Sequence, residues 1–341
     1  MPHAETIQLN QTQSIMFLVK ICIFLLMSYV HTEGVNDDKP IKQDKIVLLY
    51  PEGQASGIGI VENGVVVTQG PGVNNGKNGP ETFEENGKTR YIGDSARMEI
   101  YFPETPNGLM IINCAGGSYS SVSGINEGYC AVEWLLSQGV TVCNMFYRLP
   151  YGKKIVPLTD VQNAFRYCRY HAAEWGVSRI GVMGFSAGGH LAASASTLYV
   201  DEVTRPDFSI LIYPVIDMKD NKIAHEGSRN NLLGEAPSKK DLELYTLQNN
   251  VNKNTPETFM ALSSNDNIVP MENSLAYFSA LRANDVRAQI HIYPLGGHGW
   301  GFNHPPYRKA DKLGQYRKPF TTALSCFLKE QEALIRSSAE E

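Results

Sequence analysis

The run Gly184-Phe185-Ser186-Ala187-Gly188-Gly189 constrains the fold more than any other stretch of the chain. It follows Arg179-Ile180-Gly181-Val182-Met183, a short apolar segment that suits a buried parallel strand. It leads into His190-Leu191-Ala192-Ala193-Ser194-Ala195, whose small side chains suit a helix lying close against a sheet. G-x-S-x-G between a strand and a helix reads as a nucleophile elbow, a tight turn that lifts the serine Oγ above the sheet. Glycines belong at its flanks because a β-carbon there would strike neighbouring backbone. The first N–H groups of the helix point at any anion that forms beside the serine. The motif alone is short enough to arise by chance; the strand before it and the helix after it give it weight.

A serine hydroxyl is a poor nucleophile until a base takes its proton, so the elbow predicts an acid and then a histidine further along the chain. Phe259-Met260-Ala261-Leu262-Ser263-Ser264 reads as a strand and ends in Asn265-Asp266-Asn267. Gln289-Ile290-His291-Ile292-Tyr293 alternates like a strand and runs into Gly296-Gly297-His298-Gly299-Trp300-Gly301. Asp266 and His298 are therefore the expected partners of Ser186. Asn265-Asp266-Asn267 equally suits an ordinary turn held by side-chain-to-backbone bonds. Asp217, after Tyr213-Pro214-Val215-Ile216, competes for the acid role; Asp266 is preferred because it follows the later strand and lies nearer His298. Of the 8 histidines, His190 falls on the elbow helix, His291 falls inside a strand, and His304 is kept as the reserve base.

The intermediate of acyl transfer needs N–H donors. Met110-Ile111-Ile112-Asn113-Cys114 reads as a buried strand and opens into Ala115-Gly116-Gly117-Ser118-Tyr119. The expected oxyanion hole is the N–H of Gly117, with Gly116 second, together with that of Ala187 after the nucleophile. A plain glycine turn at a strand end is the alternative.

Four stretches carry a family likeness: Ala115 to Tyr119 followed by Glu127-Gly128, Phe146-Tyr147-Arg148-Leu149-Pro150, Gly184 to His190, and Gly296 to Gly301. Over roughly 46–328 the chain resembles the α/β-hydrolases, and more narrowly the bacterial carbohydrate esterases that include acetylxylan and feruloyl esterases. The resemblance implies an α/β fold with a mostly parallel central sheet, helices on both faces and a small cap. It also implies Ser186, His298 and Asp266 as nucleophile, base and acid. Two departures stand out: the usual Pro-Gly-Gly-Gly is here Cys114-Ala115-Gly116-Gly117, and the usual pair of acids is Asn265-Asp266-Asn267.

Composition excludes some partners. With 30 basic and 35 acidic residues among 341 the net charge is −5, and no basic patch gathers, so nucleic acid is not an expected partner. Met16 to Val30, an apolar run broken by Lys20, is too short to span a bilayer and suits a secretory signal. Residues 1–34 are therefore expected to be a leader, with Met16 a candidate true start, leaving no membrane span after its removal. A retained anchor or buried helix is the alternative. The 6 cysteines show no framework or ligand spacing. Cys114, Cys143, Cys168 and Cys326 read as core residues, and no metal or cofactor is expected.

Residues 46–337 are expected to form one catalytic domain. Val47 to Tyr50, Gly64 to Thr68 and Met98 to Phe102 read as early strands, with a loop from Gln69 to Asp94 between the last two. Tyr129 to Gln138 and Leu158 to Trp175 read as helices, with Asp160 as a first-turn charge favoured by the helix dipole. The polar stretch 219–254 breaks the sheet pattern and is expected to be a cap. Tyr119 and Trp300 are candidate substrate contacts, although aromatic residues more often pack in cores.

These readings converge on a secreted or periplasmic serine carboxylesterase removing acetyl or feruloyl groups from plant polysaccharide such as xylan. The rivals are a general small-ester or lipase-like hydrolase, a peptidase, and an inactive hydrolase-fold binding module.

Overall fold

The computed structural model describes residues 42–77, 79, 81–84, 88–303 and 310–340. The expected leader, with Met16, and the reserve base His304 lie outside the described residues.

Eight strands form the central sheet: β1 (Lys45–Leu48), β2 (Arg97–Tyr101), β3 (Leu109–Cys114), β4 (Thr141–Phe146), β5 (Arg179–Phe185), β6 (Ser209–Ile212), β7 (Thr258–Ser263) and β8 (Ala288–Tyr293). Their spatial order is β1-β2-β4-β3-β5-β6-β7-β8. β1 and β2, and β2 and β4, pair antiparallel; every pairing from β4 across to β8 is parallel. β3, β4, β6 and β7 are buried at every residue, which explains why their sequences read as continuous apolar runs rather than alternating ones. The edge strands β1 and β8 are only partly buried.

The helices are α1 (Cys130–Ser137), α2 (Val156–His171), α3 (Ser186–Thr197), α4 (Glu226–Leu233), α5 (Lys239–Tyr245), α6 (Glu272–Ala283) and α7 (Arg317–Glu340). Two glycines of β5 show that both faces are covered. A β-carbon on Gly184 would meet Ala192 of α3 at 2.8 Å, whereas one on Gly181 would strike the Phe208 ring. That ring stands edge-on to Phe327 of α7. Positions three apart in a strand point to opposite faces, so α3 and α7 lie on opposite sides of the sheet.

Three expectations need correction. Gly64 to Thr68 contributes only Val65–Val66, half of a hairpin with Val61–Glu62 that is separate from the main sheet. The expected loop 69–94 contains Thr82–Phe83 and Lys88–Tyr91, which form a small sheet with Val122–Ser123. Pairings this short carry no periodic signal. Cys326 is exposed, because it falls on the outer side of α7, while Cys114, Cys130, Cys143 and Cys168 are buried.

The stretch 219–254 holds α4, α5 and a 3₁₀ turn, Leu247–Asn250. No helix among the described residues is long and apolar enough to cross a membrane.

Candidate active site

β5 ends in extended backbone at Phe185 (φ −119°, ψ 135°), and α3 begins at Ser186, whose φ is +51°. That left-handed residue makes the turn sharp. Gly184 and Gly188 permit it: a β-carbon on Gly184 would lie 2.1 Å from the Gly188 oxygen, and one on Gly188 2.1 Å from the Cys114 oxygen. The sheet, the elbow and the end of β3 therefore approach backbone to backbone.

His298 follows β8 in a loop left-handed at Gly297 (φ +57°) and Gly299 (φ +70°). Its Nε2 lies 2.8 Å from Ser186 Oγ, and its Nδ1 lies 2.6 Å from Asp266 Oδ2. The other carboxylate oxygen of Asp266 accepts the N–H groups of Ile268 (2.9 Å) and Val269 (3.0 Å). Asp266 is thus both the turn residue its neighbours suggest and the partner of the imidazole. Burial opposes its charge, but the His298 bond, the imidazole's field and the two amides outweigh burial and hold its carboxyl below the usual range. The acid and histidine loops are also joined directly, by the Gly297 N–H donating to Asn265 Oδ1 at 2.9 Å.

Asp217 does not reach the site. Its carboxylate accepts the N–H groups of Lys219 (2.6 Å) and Asp220 (2.8 Å) and the Gln248 amide (2.6 Å), which makes it the entry turn of the 219–254 segment.

In the loop after β3 the Gly116 N–H donates to Glu127 Oε2 at 2.8 Å, so it is withdrawn from an oxyanion role. Gly117 N–H has no acceptor among the described residues, and Ala187 lies in the first turn of α3, where N–H groups have no intrahelical acceptor. Gly117, Ser118 and Tyr119 all have positive φ (+132°, +57° and +59°). The neighbours fix this strained loop. Gly117 C=O accepts from the Ser120 and Ser121 amides, and Ser118 C=O accepts from Asn231 Nδ2 of α4 at 2.8 Å.

Tyr119 and Trp300 require correction as substrate contacts. Tyr119 is 2% exposed and bonds His190 Nδ1 through its hydroxyl at 2.9 Å. Trp300 is 0% exposed and donates its indole N–H to Ser263 Oγ at 3.0 Å. Neither ring offers a face to a ligand; their sequence neighbourhood gives no sign of which way the side chains turn. Asp160 also differs from its expectation. It lies inside α2 but is fully buried, bonded to Arg148 at 2.6 Å and to the Tyr50 hydroxyl at 2.6 Å.

Sequence reasoning missed Tyr213 and Asn126, which brace the histidine loop: Gly301 N–H donates to Tyr213 Oη and Asn126 Nδ2 donates to Gly299 C=O. No spacing rule links either to His298. Among the described residues no group of three or more His, Cys, Asp or Glu is placed to hold a metal ion.

The strand order, the elbow and the hydrogen-bonded Ser186, His298 and Asp266 define an α/β-hydrolase fold carrying a serine–histidine–aspartate arrangement. More narrowly, the chain belongs to the BD-FAE family, whose model matches residues 98–281. It is 41% identical over 213 residues to an acetylxylan esterase of Xylanibacter ruminicola, covering 61% of this chain and 44% of that protein. Endo-1,4-beta-xylanase B of Butyrivibrio fibrisolvens is 31% identical over 202 residues, covering 54% of this chain and 31% of that protein. The chain thus spans less than half the length of either curated relative. Among solved structures, an acetyl ester-xyloside bifunctional hydrolase from Caldicellulosiruptor lactoaceticus is 32% identical. The match covers 69% of this chain and 88% of that one, with a TM-score of 0.61.

Proposed function

We propose that this chain is a serine carboxylesterase that removes acetyl groups from decorated xylan. The observation that carries the reading is the unbroken line from Asp266 Oδ2 through His298 to Ser186 Oγ, with separations of 2.6 and 2.8 Å. Residues 46–337 act as one catalytic domain in this reading, and 219–254 is its cap. Ser186 Oγ attacks the ester carbonyl while His298 Nε2 takes its proton, and Asp266 stabilises the imidazolium. The N–H groups of Gly117 and Ala187 hold the oxyanion. Collapse of the intermediate breaks the bond to the sugar oxygen, which leaves with the proton from His298. Water, deprotonated by His298, then attacks the acetyl-enzyme; acetate departs and Ser186 regains its proton.

The names of the relatives support xylan as the polymer. Acetyl is preferred over feruloyl because Tyr119, Trp300 and Phe302, the aromatic residues beside the catalytic loops, are all buried. The apolar run from Met16 to Val30 supports export from the cytoplasm. Product release from acetylated xylan and from feruloylated arabinoxylan, measured side by side, tests the substrate. Acetate without ferulate is the expected result. Ferulate release would overturn the acyl preference; turnover of simple aryl esters with neither polysaccharide product would overturn the polymer assignment.

A further inference from the structure

We infer that Glu127 is a positioning residue that locks the oxyanion loop and the loop of His298 to one another; the inference rests on the esterase reading above. Glu127 lies in a π-helical turn, Gly124–Tyr129, and is 5% exposed. Its two carboxylate oxygens serve different loops. Oε2 accepts the Gly116 N–H at 2.8 Å, and Oε1 accepts the Tyr213 hydroxyl at 2.9 Å. The Tyr213 oxygen in turn accepts the Gly301 N–H at 2.9 Å, and the Tyr213 ring stands edge-on to the His298 imidazole with centroids 4.9 Å apart.

The turn that carries Glu127 is itself fastened to both sides. Its own C=O accepts Asn113 Nδ2 of β3 at 2.9 Å. The adjacent Asn126 donates to Gly299 C=O at 3.0 Å and accepts the Phe302 N–H at 3.1 Å. A carboxylate is the fitting group here because an amide N–H and a phenolic O–H both need an acceptor, and an ionised carboxylate is acceptor-only. A glutamine could accept on one side but would present N–H to the other.

The consequence is mechanical. By accepting the Gly116 N–H, Glu127 fixes the Ala115–Gly116 peptide. The next peptide, which carries the Gly117 N–H, is held through Gly116 C=O by the Ser123 N–H at the start of the same turn, so the two bonds together set the direction of the Gly117 N–H. Through Tyr213 the same side chain sets the height of the histidine loop over Ser186. Glu127 touches neither substrate nor reacting atoms in this scheme.

Steady-state turnover of p-nitrophenyl acetate by the full chain and by Glu127→Gln, Tyr213→Phe and the double variant tests this, with thermal melting to monitor folding. Glu127→Gln is expected to lower kcat about 100-fold with KM little changed, the size of losing an oxyanion donor. Tyr213→Phe is expected to lower kcat about 10-fold, and the double variant to fall no further than Glu127→Gln, because the two side chains act as one unit. Affinity for phenylboronic acid, which mimics the tetrahedral intermediate, should fall in parallel with kcat. Wild-type kcat in Glu127→Gln, a loss confined to KM or melting temperature, or multiplicative single effects would overturn the inference. Should Glu127→Gln fail to fold, Tyr213→Phe decides: a lowered kcat at unchanged melting temperature supports the coupling, and an unchanged kcat refutes it. If the wild-type chain turned over neither this ester nor acetylated xylan, the esterase reading would fall, and this inference with it.

Discussion

Ser186 sits in a backbone conformation that costs a non-glycine residue on the order of 1–3 kcal/mol, and the surrounding structure maintains it. The β-carbon absent from Gly188 is part of that support. Gly188→Ala should therefore push α3 away from the end of β3, lowering both melting temperature and kcat; an unchanged kcat would show that the elbow tolerates the shift. The acid is separable in the same way. Asp266→Asn should lower kcat about 10⁴-fold by allowing the wrong imidazole tautomer, whereas Asp217→Asn should leave kcat essentially unchanged. The reverse pattern, read by steady-state kinetics, would move the acid to Asp217. Ser186, Asp266 and His298 are legible in the sequence because each stands just beyond a recognisable strand, with turn-forming neighbours. Glu127 stands in a stretch that carries the family likeness, but its partners and those of Tyr213 lie across the fold, so the local sequence does not show what either side chain holds.

Among the elements, the segment 219–254 is tied to the loop after β3 and to the helix α3 by two bonds of different kinds. Asn231 of α4 donates to Ser118 C=O, and Tyr245 of α5 accepts the Nε2–H of His190, at 2.9 Å. A carbonyl can only accept, so the proton of His190 is on Nε2, and Nδ1 accepts the Tyr119 hydroxyl. Burial pushes His190 down to about 4. The unfolded chain takes up a proton near the ordinary value of about 6.5, so stability is fully present above that pH. It declines as pH falls towards 4, by roughly 3 kcal/mol over the window. His225 and His291, also held low chiefly by burial, steepen the same slope. Melting temperature followed from pH 7 to 4 should therefore fall less steeply in His190→Gln than in wild type; equal slopes would remove His190 from the account. Element types were readable from apolar runs and glycine stops, but their ends were not. α2 begins at Val156 rather than Leu158, because Pro157 is tolerated in a first turn. The short strands within 69–94 pair with one another, and only Lys88–Tyr91 also reaches a distant partner, Val122–Ser123; two-residue pairings of this kind leave no periodic trace.

For the molecule as a whole, the buried pair Arg148 and Asp160 fastens the end of β4 to α2 and to the chain that precedes β2. Arg148 also donates to Gln54 Oε1 at 3.0 Å and Pro71 C=O at 2.9 Å, and its guanidinium lies 4.5 Å from the centre of the Tyr50 ring. Arg148→Ala leaves Asp160 buried without its counter-charge and should destabilise the chain by about 3–5 kcal/mol, measured by urea unfolding. A change below about 1 kcal/mol would place the clamp among pairs with no net effect. Asp160 shows why such a feature escapes the sequence: a carboxylate near a helix start looks like a dipole charge until its partner strand is brought against it. In the proposed reaction the whole fold serves to present Ser186 to an ester. Acetate release from acetylated xylan by wild type and by Ser186→Ala, at equal concentrations and with folding verified, tests it most directly. Release by wild type with a loss of roughly 10⁴-fold or more in the variant is the predicted result; release by both at comparable rates would contradict it.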